Sequence, residues 1–302
     1  MSTLRQMAYW LAVVEEGSFT RAAERMHVSQ PSLSQQVRSL EAELGGELLE
    51  RLPRSVRLTP AGKAFLPHAR MSVRSAERAM RAARSALQEQ TGELEISTVR
   101  SIAAGLLPDL IHRWRKQRPM TTIRLHEMTH RALSEEFVRD GLADIGIGPP
   151  PLEWSGLMER LGWEEFVVVL PADDRLARRE SIPLSTLAQR LWVMFDPQNG
   201  LTDMLIAACS SAETPFVPRP AVMTSQVETA ARLAAAGVGP ALVPINTVPA
   251  GLSGSVLRLE PPIGRELTVY TRTKWPALAE AFVELMQKTD WPDPPEDAII
   301  IA

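Results

Sequence analysis

Gln30, Ser32, Ser34, Gln35 and Arg38 lie within nine residues and carry amides, hydroxyls and a guanidinium, with no acid before Glu41. Such groups match the donor and acceptor edges that bases present in a DNA major groove. A face that is merely solvated usually mixes acids with bases, so this composition argues for a reading surface. A second set surrounds Pro53–Ser55, where Arg51, Arg54 and Arg57 place guanidinium groups at a turn, suited to a minor groove or to phosphates. Pro31, Arg5 and Thr20 complete the candidates for DNA contact. A third set is dispersed along the chain: Arg100, Ser101 and Ile102, then Thr129 and His130, then Pro197, Asn199 and Gly200, then Gln226. Its hydroxyls, amides, guanidinium and imidazole come with few carboxylates, which suits a small anion or polar organic acid. Taken singly, Ser101 and Thr129 serve equally well as helix caps, Arg100 as a solvent-facing or ion-paired side chain, and His130 as a polar helix start.

The first sixty residues supply elements that would position the reading surface. Leu4, Met7, Ala8, Leu11 and Val14 recur at helical spacing, and Gly17 ends the run. Ser18 or Thr20 can cap a short helix whose Ala22 and Ala23 let a neighbouring helix approach closely. After a turn at His27–Val28, Ser29 caps a third helix with Pro31 in its first turn, where the missing N–H costs nothing. Leu33, Val37, Leu40 and Leu44 define its expected buried stripe. Leu48 to Thr59 reads as two short strands, a wing with Arg54 at its tip. Two helices, a short turn and a polar third helix make a helix-turn-helix.

Gly17-Ser-Phe-Thr-Arg-Ala-Ala23, Val28-Ser-Gln-Pro-Ser-Leu-Ser-Gln-Gln-Val37, Leu40-Glu41, Leu44-Gly45 and Leu58-Thr-Pro-Ala-Gly62 resemble the DNA-binding signature of LysR-type transcriptional regulators. Leu49, where that family often has an aromatic, and Pro53, where it often has Arg or another polar residue, depart from the pattern. The resemblance implies a winged helix-turn-helix at residues 1–59, a linker helix at 60–90 and a two-lobed effector domain of periplasmic-binding-protein-like α/β fold at 91–302. Lobe I would take about 91–163 and 268–302, and lobe II about 164–267. It implies double-stranded DNA and a small-molecule effector as partners, a homodimer through the linker helix, a homotetramer built from it, and RNA polymerase as a further partner.

In the linker, Leu66, Ala69, Val73, Ala76, Met80, Ala83 and Leu87 step by three and four, the spacing of a coiled-coil seam. The alternative is a helix packed on its own body. Pairing has a purpose, since two recognition helices one DNA turn apart read a pseudo-palindrome.

Past Gly92 strands alternate with helices. Strands are expected at 93–99, 121–127, 143–148, 164–170, 191–195, 216–222, 240–243, 255–259 and 265–272. Helices are expected at 102–117, 131–140, 184–190, 201–211, 225–236 and 276–288. This alternation means α/β with mostly parallel sheets, and the lobes would be crossed near Gly162–Glu165 and Gly264–Thr268. In such folds ligands bind beyond the carboxyl ends of strands, between lobes, where the dispersed polar set falls. Val99–Pro108 and Glu127–Met128 resemble the aromatic-catabolism branch of the family, whose effectors are often muconates or benzoates. There the residue before the matching serine is commonly small, and Arg100 departs from that. The Pro-rich acidic stretch from Trp291 to Ala302 fits docking and disorder equally well.

Composition closes off other classes. With 45% hydrophobic and 23% charged residues among 302, the chain is globular, not disordered or fibrous. No apolar run approaches the ~20 residues of a membrane span, and the first residues lack the layout of a signal peptide, so a cytoplasmic protein without membrane contact is expected. Residues 1–90 carry a net charge of +4 and the remainder −7, which places a polyanion partner at the N-terminal part. No cofactor, metal or catalytic activity is expected. Cys209 is alone, no Cys/His cluster has zinc spacing, and no P-loop, dinucleotide fingerprint or nucleophile elbow appears. An extracytoplasmic solute-binding protein and an enzyme with a DNA-binding module are the competing readings, and both conflict with these features.

Overall fold

Thr3 opens the first helix with a reciprocal cap. Its hydroxyl accepts the Gln6 N–H at 3.2 Å, while the Gln6 amide oxygen accepts the Thr3 N–H at 2.8 Å. Helix α1 (Leu4–Glu16) then ends on Gly17, whose φ of 60° is the left-handed conformation glycine adopts without strain. Ser18 caps α2 (Phe19–Arg25), and Ser29 caps α3 (Gln30–Leu44), with Pro31 in its first turn. Strands β1 (Leu49–Leu52) and β2 (Ser55–Leu58) pair antiparallel as the wing, and α4 runs from Pro60 to Leu87. This computed structural model describes residues 3–52, 55–87 and 92–301. The expected wing tip, Arg54, and the 90/91 linker boundary lie outside the described residues.

The chain divides near Gly92 into two compact units. In the first, Tyr9, Trp10, Val13, Ala22, Ala23, Leu33, Val37, Leu40, Leu48 and Leu49 form the core. Helix α4 is part of that body. Ala69 is buried, Leu66 and Val73 pack on the core, and Phe65 meets Trp10 edge-on at 5.2 Å. The first turns of the expected coiled-coil seam are therefore used within the unit, while Met80 and Ala83 are exposed. Leu44 departs from the expected stripe and is 48% exposed, because the last turn of α3 runs past the packed core. Glu41 takes the last buried position instead. A Cβ at Gly62 would lie 2.1 Å from the Leu48 carbonyl oxygen, so glycine alone lets α4 pass the wing this closely.

The second unit begins with β3 (Gly92–Val99), α5 (Arg100–Gly105), α6 (Leu107–Gln117), β4 (Thr121–Met128), α7 (Arg131–Arg139) and β5 (Ile145–Gly148). It continues through β6 (Leu157–Pro171), β7 (Ser181–Ile182), β8 (Leu191–Phe195), α8 (Gly200–Ser210), β9 (Arg219–Thr224), α9 (Val227–Ala235) and β10 (Ala241–Pro244). Strands β11 (Gly254–Leu259) and β12 (Ile263–Thr271), helix α10 (Ala277–Gln287) and β13 (Ile299–Ile300) complete it.

Where one helix is expected over 102–117 there are two. Pro108 cannot continue the hydrogen-bonding of the preceding turn, and the chain breaks at Leu106 before α6. The helix expected at 184–190 is a single 3-10 turn, Leu184–Leu187, which buries two leucines three residues apart. The sheet runs β4-β3-β5-β12-β6-β11-β7, with β10 on β6 and β13 on β12, while β8 and β9 pair separately. It is less parallel than expected, since β10, β11 and β12 all pair antiparallel with the long β6.

Two large hydrophobic cores result, apart from a small cluster of Val138, Ala143 and Tyr270. The lobe I core gathers Leu94, Ile96, Leu110, Trp114, Leu267, Val269 and Phe282. The lobe II core gathers Phe166–Leu170, Trp192, Phe195, Ala231 and Ile263. Strands β6 and β12 contribute to both. The C-terminal stretch is docked, with β13 alongside β12 and Ile301 buried in the lobe II core. Among the described residues no helix is long and apolar enough to cross a membrane.

Candidate DNA-reading face and effector cavity

On α3 the expected reading residues Gln30, Pro31, Ser32, Gln35 and Arg38 are all exposed. Arg5, Thr20 and Arg57 are exposed as well. Ser34 corrects the expectation. It is only 4% exposed, and Arg38 reaches back to it, Nη2 donating to the hydroxyl at 3.3 Å and Nε to the carbonyl at 3.4 Å. One helical turn separates the two residues, so Ser34 orients Arg38 rather than facing outward. Glu41 was not anticipated as functional. Its Oε1 accepts the backbone N–H groups of Leu48 and Leu49 at 3.0 and 3.1 Å, tying the end of α3 to the start of the wing. Its place as the first acid after an acid-free run from Gln30 was the available signal.

In the second unit a cavity of about 540 Å³ opens between the two cores. It brings together Arg100 and Ser101 after β3, Thr129 and His130 after β4, Asn199 and Gly200 at α8, and Gln226 at α9. Two expected residues fall outside. Ile102 is fully buried in the lobe I core, because the helix starts at Arg100 and turns the third residue inward. Pro197 is exposed and does not line the cavity, being part of the loop before Asn199 caps α8.

The residues that sequence reasoning missed are charged. Arg265, on β12, lines the cavity while only 3% exposed. Its Nη2 donates to Ser101 Oγ at 2.8 Å, and its Nε donates to Glu164 Oε2 at 2.7 Å. Ser101 therefore receives an arginine rather than capping a helix; α5 has no side-chain cap. A lone arginine in a strand of otherwise mostly apolar residues was the signal for this buried pair. Arg131 and Arg232 also line the cavity, making four arginines against the carboxylates of Asp203 and Glu228. Arg232 is paired with Glu228 at 2.8 Å. Arg100 and Arg131 make no hydrogen bond or ion pair among the described residues.

Two contacts bridge the lobes at this cavity. The Gly200 N–H donates to the Thr129 carbonyl at 2.9 Å, and His130 Nε2 lies 3.0 Å from Asp203 Oδ2. Because His130 Nδ1 accepts the Ala132 N–H at 3.1 Å, its proton sits on Nε2 and is donated to Asp203. Cys209, on the buried side of α8, is unsuited to nucleophilic or redox chemistry, since burial pushes its thiol up to about 12. Among the described residues no group of His, Cys, Asp and Glu could hold a metal ion.

Comparison with known proteins supplies the context. Residues 4–63 match the family described as bacterial regulatory helix-turn-helix protein, lysR family, and residues 87–291 match the LysR substrate binding domain. The transcriptional regulator AlsR of Bacillus subtilis is 34% identical over 250 residues, covering 80% of each chain. The hca operon transcriptional activator HcaR of Escherichia coli is 34% identical over 246 residues, covering 80% of this chain and 81% of its own. The crystal structure of CbnR, a LysR family transcriptional regulator, superposes with a TM-score of 0.75 at 25% identity, covering 95% of this chain and all of that one.

Proposed function

The chain belongs to the LysR family of bacterial regulators, a DNA-binding helix-turn-helix joined to an effector-binding domain, and from that premise we propose that its effector is a small organic acid. It is a transcriptional regulator and not an enzyme. Arg100 and Arg131 carry the proposal: two half-buried cations face the cavity, and among the described residues neither side chain has an ion-pair partner. Desolvated guanidinium groups are strong binders of carboxylates, often through two parallel hydrogen bonds. Arg265 and Ser101 form the deeper wall.

On the DNA side, Gln30, Pro31, Ser32, Gln35 and Arg38 read base edges, with Arg5, Thr20, Arg54 and Arg57 on the backbone or minor groove. Helix α4 pairs two chains through the exposed stretch containing Met80 and Ala83, and such dimers assemble further into tetramers. The effector acts by linkage. By binding one lobe arrangement better than another it shifts the population, and a coupling of ~1–3 kcal/mol changes DNA affinity or bending by roughly tenfold.

A thermal-shift screen tests the effector class, comparing benzoate and dicarboxylates with their neutral amides on the full chain. The acids raise the melting temperature, and the Arg100→Gln, Arg131→Gln double variant loses that response. Stabilisation by the amides alone, or an undiminished response in the double variant, overturns the reading.

A further inference from the structure

We propose that residues 289–301 are a strap that sets the angle between the two lobes of the effector-binding domain. The family match ends at residue 291, so nearly all of this segment lies beyond it. Its first anchor is in lobe I. Arg113 Nη2 donates to Thr289 Oγ1 at 2.6 Å, the Trp291 indole N–H donates to the Met286 carbonyl at 2.7 Å, and the Trp291 ring packs on the lobe I core. Its last anchor is in lobe II. The Ile299 N–H donates to Pro262 O and the Ile301 N–H to Gly264 O, both at 2.8 Å, and Ile301 is 5% exposed in the lobe II core.

Between the anchors the segment lies on β6. The Trp163 N–H, on β6, donates to the Pro292 carbonyl at 3.0 Å, and Arg160 Nη1 donates to Asp293 Oδ1 at 3.0 Å. At Gly162 the approach is so close that a Cβ would lie 2.5 Å from the Trp291 Cβ. The pairing of β6 with β12 shifts register at Leu267/Thr268, beside this contact. A ribbon of two strands interrupted by a bulge is easily twisted and bent. Parallel pairing of β13 gives β12 a second neighbour at Ile263 and Gly264, converting that part of the crossing into three strands.

The composition suits a strut. Pro292, Pro294 and Pro295 fall within the stretch Trp291–Ala298, and proline-rich chain is stiff and loses little entropy on ordering. Any rotation of one lobe on the other must strain this segment or pull Trp291 or Ile301 from its core. The strap therefore holds the resting angle and limits its excursion. This goes beyond the effector proposal and does not depend on which compound fills the cavity.

The test uses the full chain with cysteines introduced at exposed Glu136 and Glu213, one in each lobe, carrying a fluorescence energy-transfer pair; buried Cys209 is left in place. Gly162→Ala displaces the strap at Trp291 and Pro292, its near end, and Ile301→Asn releases its far end. The expected result is an interlobe distance distribution at least twice as wide in both variants, with cooperative thermal unfolding retained. Hydrogen exchange of the Trp163 amide should rise at least tenfold in Gly162→Ala. Unchanged distances in either variant overturn the strap. An unaltered Trp163 amide in Gly162→Ala also overturns it, by removing the contact on which it rests. A stop after Asp290 adds a third measurement where that chain folds; the two point variants decide the matter where it does not.

Discussion

Glu164 and Arg265 stand directly opposite one another on β6 and β12, and their charged groups meet 2.6 Å apart with side-chain exposures of 0% and 4%. The pair lies where both strands pass between the cores. Glu164 gives one oxygen to the arginine, while its Oε1 is buried without a hydrogen-bond partner among the described residues. Removing one member of a buried ion pair leaves an uncompensated charge, at a cost of about 3–5 kcal/mol. Glu164→Ala should lose that much in urea denaturation. Glu164→Gln, which keeps an acceptor, should lose clearly less. Equal, small losses in both would mean that Arg265 does not depend on Glu164.

Exposure separates the residues of α3. Gln30→Ala and Gln35→Ala should each reduce discrimination between operator and mutated operator by ~1–3 kcal/mol in competitive gel-shift titrations. Ser34→Ala should cost less than either, because its hydroxyl acts only through Arg38, which keeps its hydrogen bond to the Ser34 carbonyl. A loss at Ser34 equal to that at Gln30 would contradict the orientation seen in the structure.

The wing depends on Glu41. Glu41→Ala strands two backbone N–H groups, those of Leu48 and Leu49, at a cost of about 1–3 kcal/mol for each group left unsatisfied. Thermal unfolding of the N-terminal unit should shift downward, and salt-dependent DNA affinity should fall with it. Unchanged unfolding would show the clamp to be dispensable.

Asp174 gives a pH signature. Hydrogen bonds from Arg190, at 2.5 and 3.1 Å, hold its carboxyl below the ordinary value of 3.8, with the Leu176 N–H assisting against the opposing effect of burial. A folded-state value below the unfolded one contributes stability that is complete above about 3.8 and disappears as pH falls through the depressed value. Asp174→Asn should therefore be less stable than the parent at pH 7, with the difference closing under acid. Denaturation curves at pH 7 and near pH 3 check this; a gap that widens in acid would reverse the sign.

Short-range signals were legible. Ser18 and Ser29 cap where hydroxyl residues precede apolar repeats, and Gly17 terminates where only glycine relaxes the backbone. The strand ends that assemble the cavity were also readable, since each follows an expected strand and opens a helix. What escaped depended on partners distant in sequence. Arg265 meets Ser101 across 164 residues, a pairing no local pattern encodes. Ser34 and Leu44 were misassigned for a related reason. Periodicity shows which residues share a side of α3, but not how far the body beneath that side extends. The docking of Ile301 required β12 to offer a free edge, a property of the folded sheet alone.

Because Phe65, Leu66, Ala69 and Val73 complete the packing around Trp10, a recombinant piece cut at Thr59 would bare that indole and the groove beside it. Any minimal fragment made for operator binding must carry the chain past Val73, and a foreign zipper grafted onto it should be joined beyond that point.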